Sequence, residues 1–230
     1  MNSEQTTDIA RRVRWHAALA DPTRLRVVDL LTVSDHSPSE LAAVLGLPSN
    51  LLAHHLHTLE EAGVLERRRS EGDGRRSYLR LTSQARRRAG EDGRSAAFPT
   101  PRRVVFVCTA NTARSHLAAA LWRRASAVDA TSAGTHPGER VHRRALEVAR
   151  RHGLDLPDVP PRGLEEVTGE GDVLVTVCDR AHEEVGGRAW AHWSVPDPVA
   201  LGTRAAFESA HDLLADRVRG LARLTRAGSV

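Results

Sequence analysis

The chain is 230 residues long, enough for one large domain or for two small ones with cores of their own. Its 33 basic residues are all arginine and face 29 acidic ones, so the formal charge is only +4; the lysine-free usage reads as coding bias rather than function. No apolar run approaches the ~20 residues of a membrane span, the start MNSEQTTDIARR lacks the apolar core of a signal peptide, and two cysteines cannot build a disulfide framework; a cytoplasmic protein without membrane contact is expected.

In chain order, the first clear signal is Asp21-Pro22, a side chain able to cap free amides followed by a proline at the first helical position; Leu25, Val28 and Leu31 then form an apolar stripe. Ser37-Pro38-Ser39-Glu40 is a capping box that opens a second helix through Leu41, Val44 and Leu45, with a stop at Gly46. After the turn LPSN, LLAHHLHTLEEAG places Leu52, Leu56 and Leu59 on one face and Asn50, His54 and His57 near the other, ending at Gly63. Two strand-like runs then flank Gly72-Asp73-Gly74 as a hairpin. Residues 66–88 hold nine arginines against Glu66, Glu71 and Asp73, a local excess suited to phosphates.

Two helices in tandem, the second with an outward polar face, and a basic hairpin form a winged helix-turn-helix pattern: the second helix fits a major groove while the hairpin reaches the DNA backbone. ALADPTRLRVVDLL, SELAAVLGLPSNLLAHHLHTLEEAGVL and the arginine hairpin resemble the ArsR family of dimeric bacterial repressors over about residues 7–90. The resemblance implies a homodimer on a double-stranded operator, with Ser49, Asn50, His54 and His57 as candidate DNA contacts and Arg67, Arg68, Arg69, Arg75 and Arg76 as phosphate contacts. A solvated charged face on a small helical domain is the plainer alternative. Many metal-sensing members of the family carry a cysteine pair before the turn, but residues 1–107 contain no cysteine, which excludes arsenite sensing by that thiol site. His16, His36, His54, His55 and His57 show no spacing that selects a metal site, so no metal is expected.

GEDGRSAAFPTP, Gly90 to Pro101, has no periodicity and reads as a connector, which sets the expected organisation as residues 1–90, a linker over 91–101, and 102–230. The second part opens on RRVVFVCTANTARSHLAAALWRR. Val104 to Val107 reads as a buried parallel strand, and RSHLAAALWRRA has Leu117, Ala120 and Leu121 at helical spacing. The loop between them is Cys108, Thr109, Ala110, Asn111, Thr112, Ala113, Arg114 and Ser115, a C-x5-R-S sequence. Its amides, turned inward beside a helix N-terminus, would cradle a tetrahedral oxyanion, and the same positive environment would favour a thiolate at Cys108. Arg114 can hold two anion oxygens bidentately, Ser115 can donate to the sulfur, and Asn111 suits a strained loop position. VDATSAGTH and GDVLVTVCDRA read as further strands, ERVHRRALEVARRHG as a helix between them, and Phe207 to Leu224 as a last amphipathic helix. Asp197, between prolines in WSVPDP, can serve as a general acid. The plainer alternatives are a buried cysteine at a strand end, for Cys108 and for Cys178 alike.

Cys108 to Ser115, SAGT at 132–135, VTVCD at 175–179 and WSVPDP at 193–198 resemble the low-molecular-weight tyrosine phosphatase fold, and more narrowly its arsenate reductase branch, over nearly all of residues 103–228. The resemblance implies an α/β three-layer parallel sheet behind the mainly α winged helix-turn-helix part. For a phosphatase it implies Cys108 as nucleophile, Arg114 as oxyanion binder and Asp197 as acid, through a phosphocysteine. For a reductase it implies that the same trio forms a thiol–arsenate adduct which a second thiol resolves. Cys178 stands where reductases carry their second cysteine, and Val199 replaces the tyrosine that commonly follows Asp-Pro in phosphatases; Val185 stands where thioredoxin-coupled reductases carry a third cysteine. The expectation is therefore an arsenate reductase fused to a repressor, with no bound cofactor and with electrons from mycothiol and mycoredoxin, thioredoxin or glutathione. A phosphotyrosine phosphatase and an oxyanion-sensing transcription factor without turnover stand as alternatives.

Overall fold

The computed structural model describes residues 3–89, 101–157 and 159–227, so of the expected linker only Pro101 lies within the described residues. The chain divides into two compact units, Met1–Arg69 with Arg76–Ala96 and Ser70–Arg75 with Ala97–Val230.

In the first unit α1 (Ser3–Leu19), α2 (Pro22–Val33), α3 (Pro38–Leu45) and α4 (Ser49–Glu61) precede an antiparallel hairpin, β1 (Leu65–Arg69) and β2 (Ser77–Leu81), and a short helix α5 (Ser83–Ala89). The local capping signals hold. The Asp21 carboxylate accepts the Arg24 amide at 2.9 Å, and Ser37 and Glu40 exchange the two bonds of a capping box at 3.3 and 2.8 Å. Gly46 closes α3 in the left-handed conformation, φ +65°, where a side chain would be strained. Val28 and Leu31 of α2, Leu41 of α3, Leu52, Leu56 and Leu59 of α4, and Leu65, Leu79 and Leu81 of the hairpin form one buried core. Each such leucine contributes roughly 1.5–3 kcal/mol by leaving water.

Two expected core positions turn outward: Leu25 is 36 % and Val44 58 % exposed, while Val27 is buried. Spacings of three and four residues fit either stripe on α2, and packing against α1, α4 and β2 selects the one containing Val27. The hairpin is also wider than expected, because β1 ends at Arg69 and β2 begins at Ser77, leaving Arg75 and Arg76 in the connection rather than on a strand. Helices α1 and α5 were not legible in the sequence.

The second unit is a parallel sheet in the order β4-β3-β5-β6, formed by β3 (Arg103–Cys108), β4 (Asp129–Gly134), β5 (Asp172–Thr176) and β6 (Ala191–His192). The near-continuous apolar run of β3 follows from its central place: Val104 to Val107 are fully buried between neighbours on both edges. Between and after the strands lie α6 (Arg114–Ala125), α7 (Arg143–Arg151), α8 (Leu164–Val167), α9 (Asp179–Val185), α10 (Pro198–Leu201) and α11 (Arg204–Ala227). Helices α6 and α11 pack on each other, α6 covers β3 and β4, and α9 packs on β3 and β5. The chain leaves β3 toward β4 on one side and returns as β5 on the other, so the carboxyl ends of β3 and β5 open at a switch point, where ligands enter sheets of this kind. Trp193 is buried against Phe106, ring centroids 5.7 Å apart, and anchors the segment that carries Asp197 to the central strand.

Candidate functional site

Cys108 is the last residue of β3 and Arg114 the first of α6; the loop between them passes through Asn111, whose φ is +51°. Asparagine tolerates this left-handed position better than most residues, and three bonds hold it there. Its side-chain amide donates to Ser115 Oγ at 2.9 Å, its side-chain oxygen accepts the Arg162 amide at 2.9 Å, and its own N–H points at Cys108 Sγ at 3.2 Å. Ser115 Oγ lies 3.1 Å from the same sulfur.

Four of the loop carbonyls bond the chain that follows β4. Those of Cys108, Thr109, Ala110 and Thr112 accept the amides of Thr135, His136, Gly138 and His142 at 3.1, 2.8, 2.9 and 2.8 Å. With its carbonyls occupied by the chain after β4, the loop is free to present amides to an anion, and the amino end of α6 adds its dipole. This explains SAGT: a Cβ on Gly134 would stand 2.7 Å from the Thr109 carbonyl oxygen and 3.0 Å from Asn111 Cβ. Gly134→Ala is therefore expected to displace the loop and weaken arsenate or phosphate binding about 10- to 100-fold, readable by calorimetry. Binding equal to wild type would show that the loop tolerates the shift.

Arg114 is 7 % exposed; it donates to the Val195 carbonyl at 2.9 Å and pairs with Asp197 at 3.1 Å. Burial opposes its charge, but the groups at Cys178, Cys108 and Asp197 more than offset this and its pKa lies above the ordinary value. Asp197 caps α10 by accepting the Val199 amide at 3.0 Å, and its other oxygen faces Arg114. Cys178 ends the turn after β5, with Sγ 3.4 Å from Thr109 Oγ1 of the loop between Cys108 and Arg114. Both thiols are free and buried, and burial pushes the Cys178 thiol up to about 11, with Cys108 adding to the effect and Arg114 opposing it. Cys108, Thr109, Arg114, Cys178, Asp179 and Asp197 line one cleft.

Sequence reasoning missed the supports of the loop. His116, 3 % exposed on α6, bonds the Asn111 backbone, and its Nε2 has no partner within the described residues. Burial holds its pKa down at about 4 against an ordinary 6.5. A histidine depressed in the native state stabilises the fold above its unfolded pKa and loses that contribution as pH falls through the folded one. Between about pH 6.5 and 4 the wild type is thus expected to lose about 2–4 kcal/mol that His116→Gln does not, measured by denaturant unfolding of both chains across that range. Parallel curves would exclude the linkage.

On the first unit, Ser49 and Asn50 are exposed at the start of α4, and His54 and His57 lie exposed on the same helix, opposite buried Leu52, Leu56 and Leu59. Arg67, Arg68 and Arg69 are all on β1. Part of the expected positive excess is paired locally: Arg67 with Glu60 at 3.0 Å, Arg76 with Glu40 at 3.0 Å and Arg80 with Glu66 at 2.6 Å. Arg75 pairs with Asp73, yet its side chain is 91 % exposed. The five histidines considered for a metal do not gather; instead His152, His211 and Asp212 lie together, with His152 on Glu208 at 2.7 Å and His211 on Asp212 at 3.0 Å.

A strand, a cysteine–arginine loop, a helix and a carboxylate held at the arginine define the class of phosphatase-like α/β proteins. The model of the low molecular weight phosphotyrosine protein phosphatase family matches residues 103–228, and the chain belongs to that family. A helix-turn-helix domain model matches residues 19–68, so the chain is a fusion of the two. A Halobacterium salinarum protein named "Putative arsenate reductase" is 28 % identical over 102 residues, 40 % of this chain and 72 % of that protein. The solved arsenate reductase of Archaeoglobus fulgidus is 28 % identical, with a TM-score of 0.47, over 52 % of this chain and 98 % of its own. The YwlE arginine phosphatase of Geobacillus stearothermophilus shares the fold at 22 % identity and a TM-score of 0.50, over 56 % of this chain and 95 % of its own. No helix among the described residues is long and apolar enough to cross a membrane.

Proposed function

We propose that the second unit reduces arsenate to arsenite, and that the helix-turn-helix unit binds an operator as a homodimer in the cytoplasm, joining arsenic detoxification to transcriptional control. The observation that carries the reductase reading is the second thiol in the cleft, Cys178, whose sulfur lies 3.4 Å from the hydroxyl of Thr109 in the anion loop. A phosphatase needs Cys108, Arg114 and Asp197 but has no use for a further buried thiol there.

In the first step Cys108 Sγ attacks arsenic while the anion oxygens lie on the loop amides and the Arg114 fork, and Asp197 delivers a proton to the departing oxygen. The product is a Cys108–S–As(V) adduct. Cys178, as a thiolate, then attacks Cys108 Sγ: the S–S bond forms, the S–As bond breaks, and its electron pair stays on arsenic, which leaves as arsenite. Two thiols are oxidised by two electrons and one arsenic is reduced by two. An external dithiol or small thiol regenerates the pair. With valine at 185, an intramolecular shuttle to a third cysteine cannot form at that place, which favours direct reduction by mycothiol with mycoredoxin, thioredoxin or glutathione.

The second reading, a phosphotyrosine phosphatase, is favoured by the direct Asp197–Arg114 pairing at the loop, since this trio suffices for phosphoryl transfer to Cys108 and hydrolysis. Purified full chain given arsenate or an aryl phosphate, with each donor system in turn, separates the two. Arsenite production supported by at least one donor is the expected result. Aryl phosphate hydrolysis without arsenite under every donor selects the phosphatase. Turnover of neither, with oxyanion-dependent release of DNA, selects a sensor.

A further inference from the structure

Beside Cys178 lies a buried polar chain that neither anion binding nor adduct formation uses. Asp179, 4 % exposed, follows the cysteine, and its Oδ1 lies 3.1 Å from Nε2 of the fully buried His192 on β6. The other ring nitrogen, Nδ1, lies 3.1 Å from Thr176 Oγ1, the end of β5. Thr176 and Asp179 thus flank Cys178 on the β5–α9 turn, and one imidazole from the neighbouring strand ties both. His182 stacks on that imidazole at 4.1 Å and reaches the same hydroxyl at 3.2 Å.

Proton accounting shows how firmly the chain is tied. The Thr176 hydroxyl has one proton and also lies 3.3 Å from the Ala191 carbonyl oxygen. If it donates there or to Nδ1 of His182, Nδ1 of His192 donates to the hydroxyl oxygen. If it donates to His192, the ring is neutral and still donates through Nε2 to Asp179. Burial raises the Asp179 pKa, but bonds from His192, from the Glu71 backbone amide on its other oxygen at 3.0 Å and from Ser194 outweigh that and hold it below the usual range.

We propose that Asp179, acting through His192, is a positioning residue for Cys178, fixing its turn so that the sulfur meets Cys108 Sγ in the resolving step. The inference rests on the reductase reading. Cys178 itself is extended, φ −156° and ψ 151°, and makes no capping bond to α9; its side chain meets only Thr109 Oγ1, at 3.4 Å, so the turn is held from both sides by its neighbours. The step it serves is the one written above, in which the S–S bond forms as the S–As bond breaks and the Cys178 proton passes to solvent. Formation of the adduct needs none of these residues.

The test uses full-length, reduced chains: wild type, Asp179→Asn, Asp179→Glu and Cys178→Ser. Each is mixed with arsenate without external thiol and quenched for arsenite and for the Cys108–Cys178 disulfide by mass spectrometry. Protection of Cys108 from iodoacetamide by arsenate is followed in parallel as a readout of the anion loop. Asp179→Asn is expected to keep the protection, to form the disulfide about 10- to 100-fold more slowly, and to recover arsenite production when a small thiol replaces Cys178 as attacker. Asp179→Glu, which keeps the carboxylate, is expected to recover part of the rate. Disulfide formation by Asp179→Asn at the wild-type rate, while Cys178→Ser forms no arsenite, overturns the positioning role and leaves the reductase reading standing. Loss of Cys108 protection together with the disulfide overturns it too, because the residue then supports the whole site. Undiminished arsenite from Cys178→Ser overturns Cys178 as the resolving thiol and this inference with it, whereas no arsenite from wild type, with or without added thiol, overturns the reductase reading itself.

Discussion

Cys108→Ser is expected to lower turnover of arsenate, and of any aryl phosphate, by about 10³-fold or more while leaving oxyanion binding within a few-fold of wild type. The loop is held mainly by bonds from the amides of residues 135–142 to the carbonyls of Cys108, Thr109, Ala110 and Thr112, and only the Asn111 amide rests on the sulfur. The serine hydroxyl can take the place of the thiol next to Ser115 and the Asn111 amide, but it is not ionised at neutral pH. Steady-state rates paired with calorimetric titration of arsenate or phosphate check this. Retained turnover would show that Cys108 is the buried strand-end cysteine of the plainer reading.

Arg114→Lys is expected to cost a further large factor, about 10²–10³-fold in kcat/KM, although the charge is kept. The guanidinium spans two partners at once, the Val195 carbonyl at 2.9 Å and Asp197 at 3.1 Å, and so fixes the acid segment relative to the loop. A lysine ammonium can meet one of these partners or one anion oxygen, but it cannot reproduce the planar fork. Because Asp197 would also lose its orientation, the defect should fall on kcat as well as on KM. Kinetics over a range of substrate concentrations distinguish this from a simple loss of affinity, and an effect confined to KM would mean that Arg114 only binds.

The features legible in the sequence are those whose physics is local. Asp21-Pro22 and Ser37–Glu40 cap their helices because a side chain meets amides within one turn. The C-x5-R-S loop announces itself because thiol, arginine and helix start must fall at fixed offsets, and Asn111 marks the one non-glycine residue with positive φ among those described. What escaped depends on neighbours distant in the chain. Strand β6 is two residues long and carries no periodicity, so the placement of His192 beside Asp179 is a tertiary fact. His116 reads as one more polar residue on a helix until α6 is buried around it. The outward turn of Leu25 and Val44, and the pairing of Arg67 and Arg76 with glutamates from α4 and α3, likewise follow from packing rather than spacing.

Within the first unit, the polar face of α4 came out as the periodicity indicates, since leucines at positions 52, 56 and 59 leave Asn50, His54 and His57 no choice of side. The resemblance was needed for roles that geometry alone does not assign, above all that of Cys178. A buried thiol pushed up to about 11 stays protonated at neutral pH, and in the reaction proposed for it, it acts only once the arsenic adduct stands beside it.

The most direct test of the account is a single turnover. Fully reduced wild-type chain is mixed with a limiting amount of arsenate, without any external thiol, and the arsenite released and the Cys108–Cys178 disulfide formed are counted in the same quenched sample. Equal amounts of the two are expected, each matching the arsenate consumed. Arsenate bound but unreduced, with both thiols still free, would contradict it.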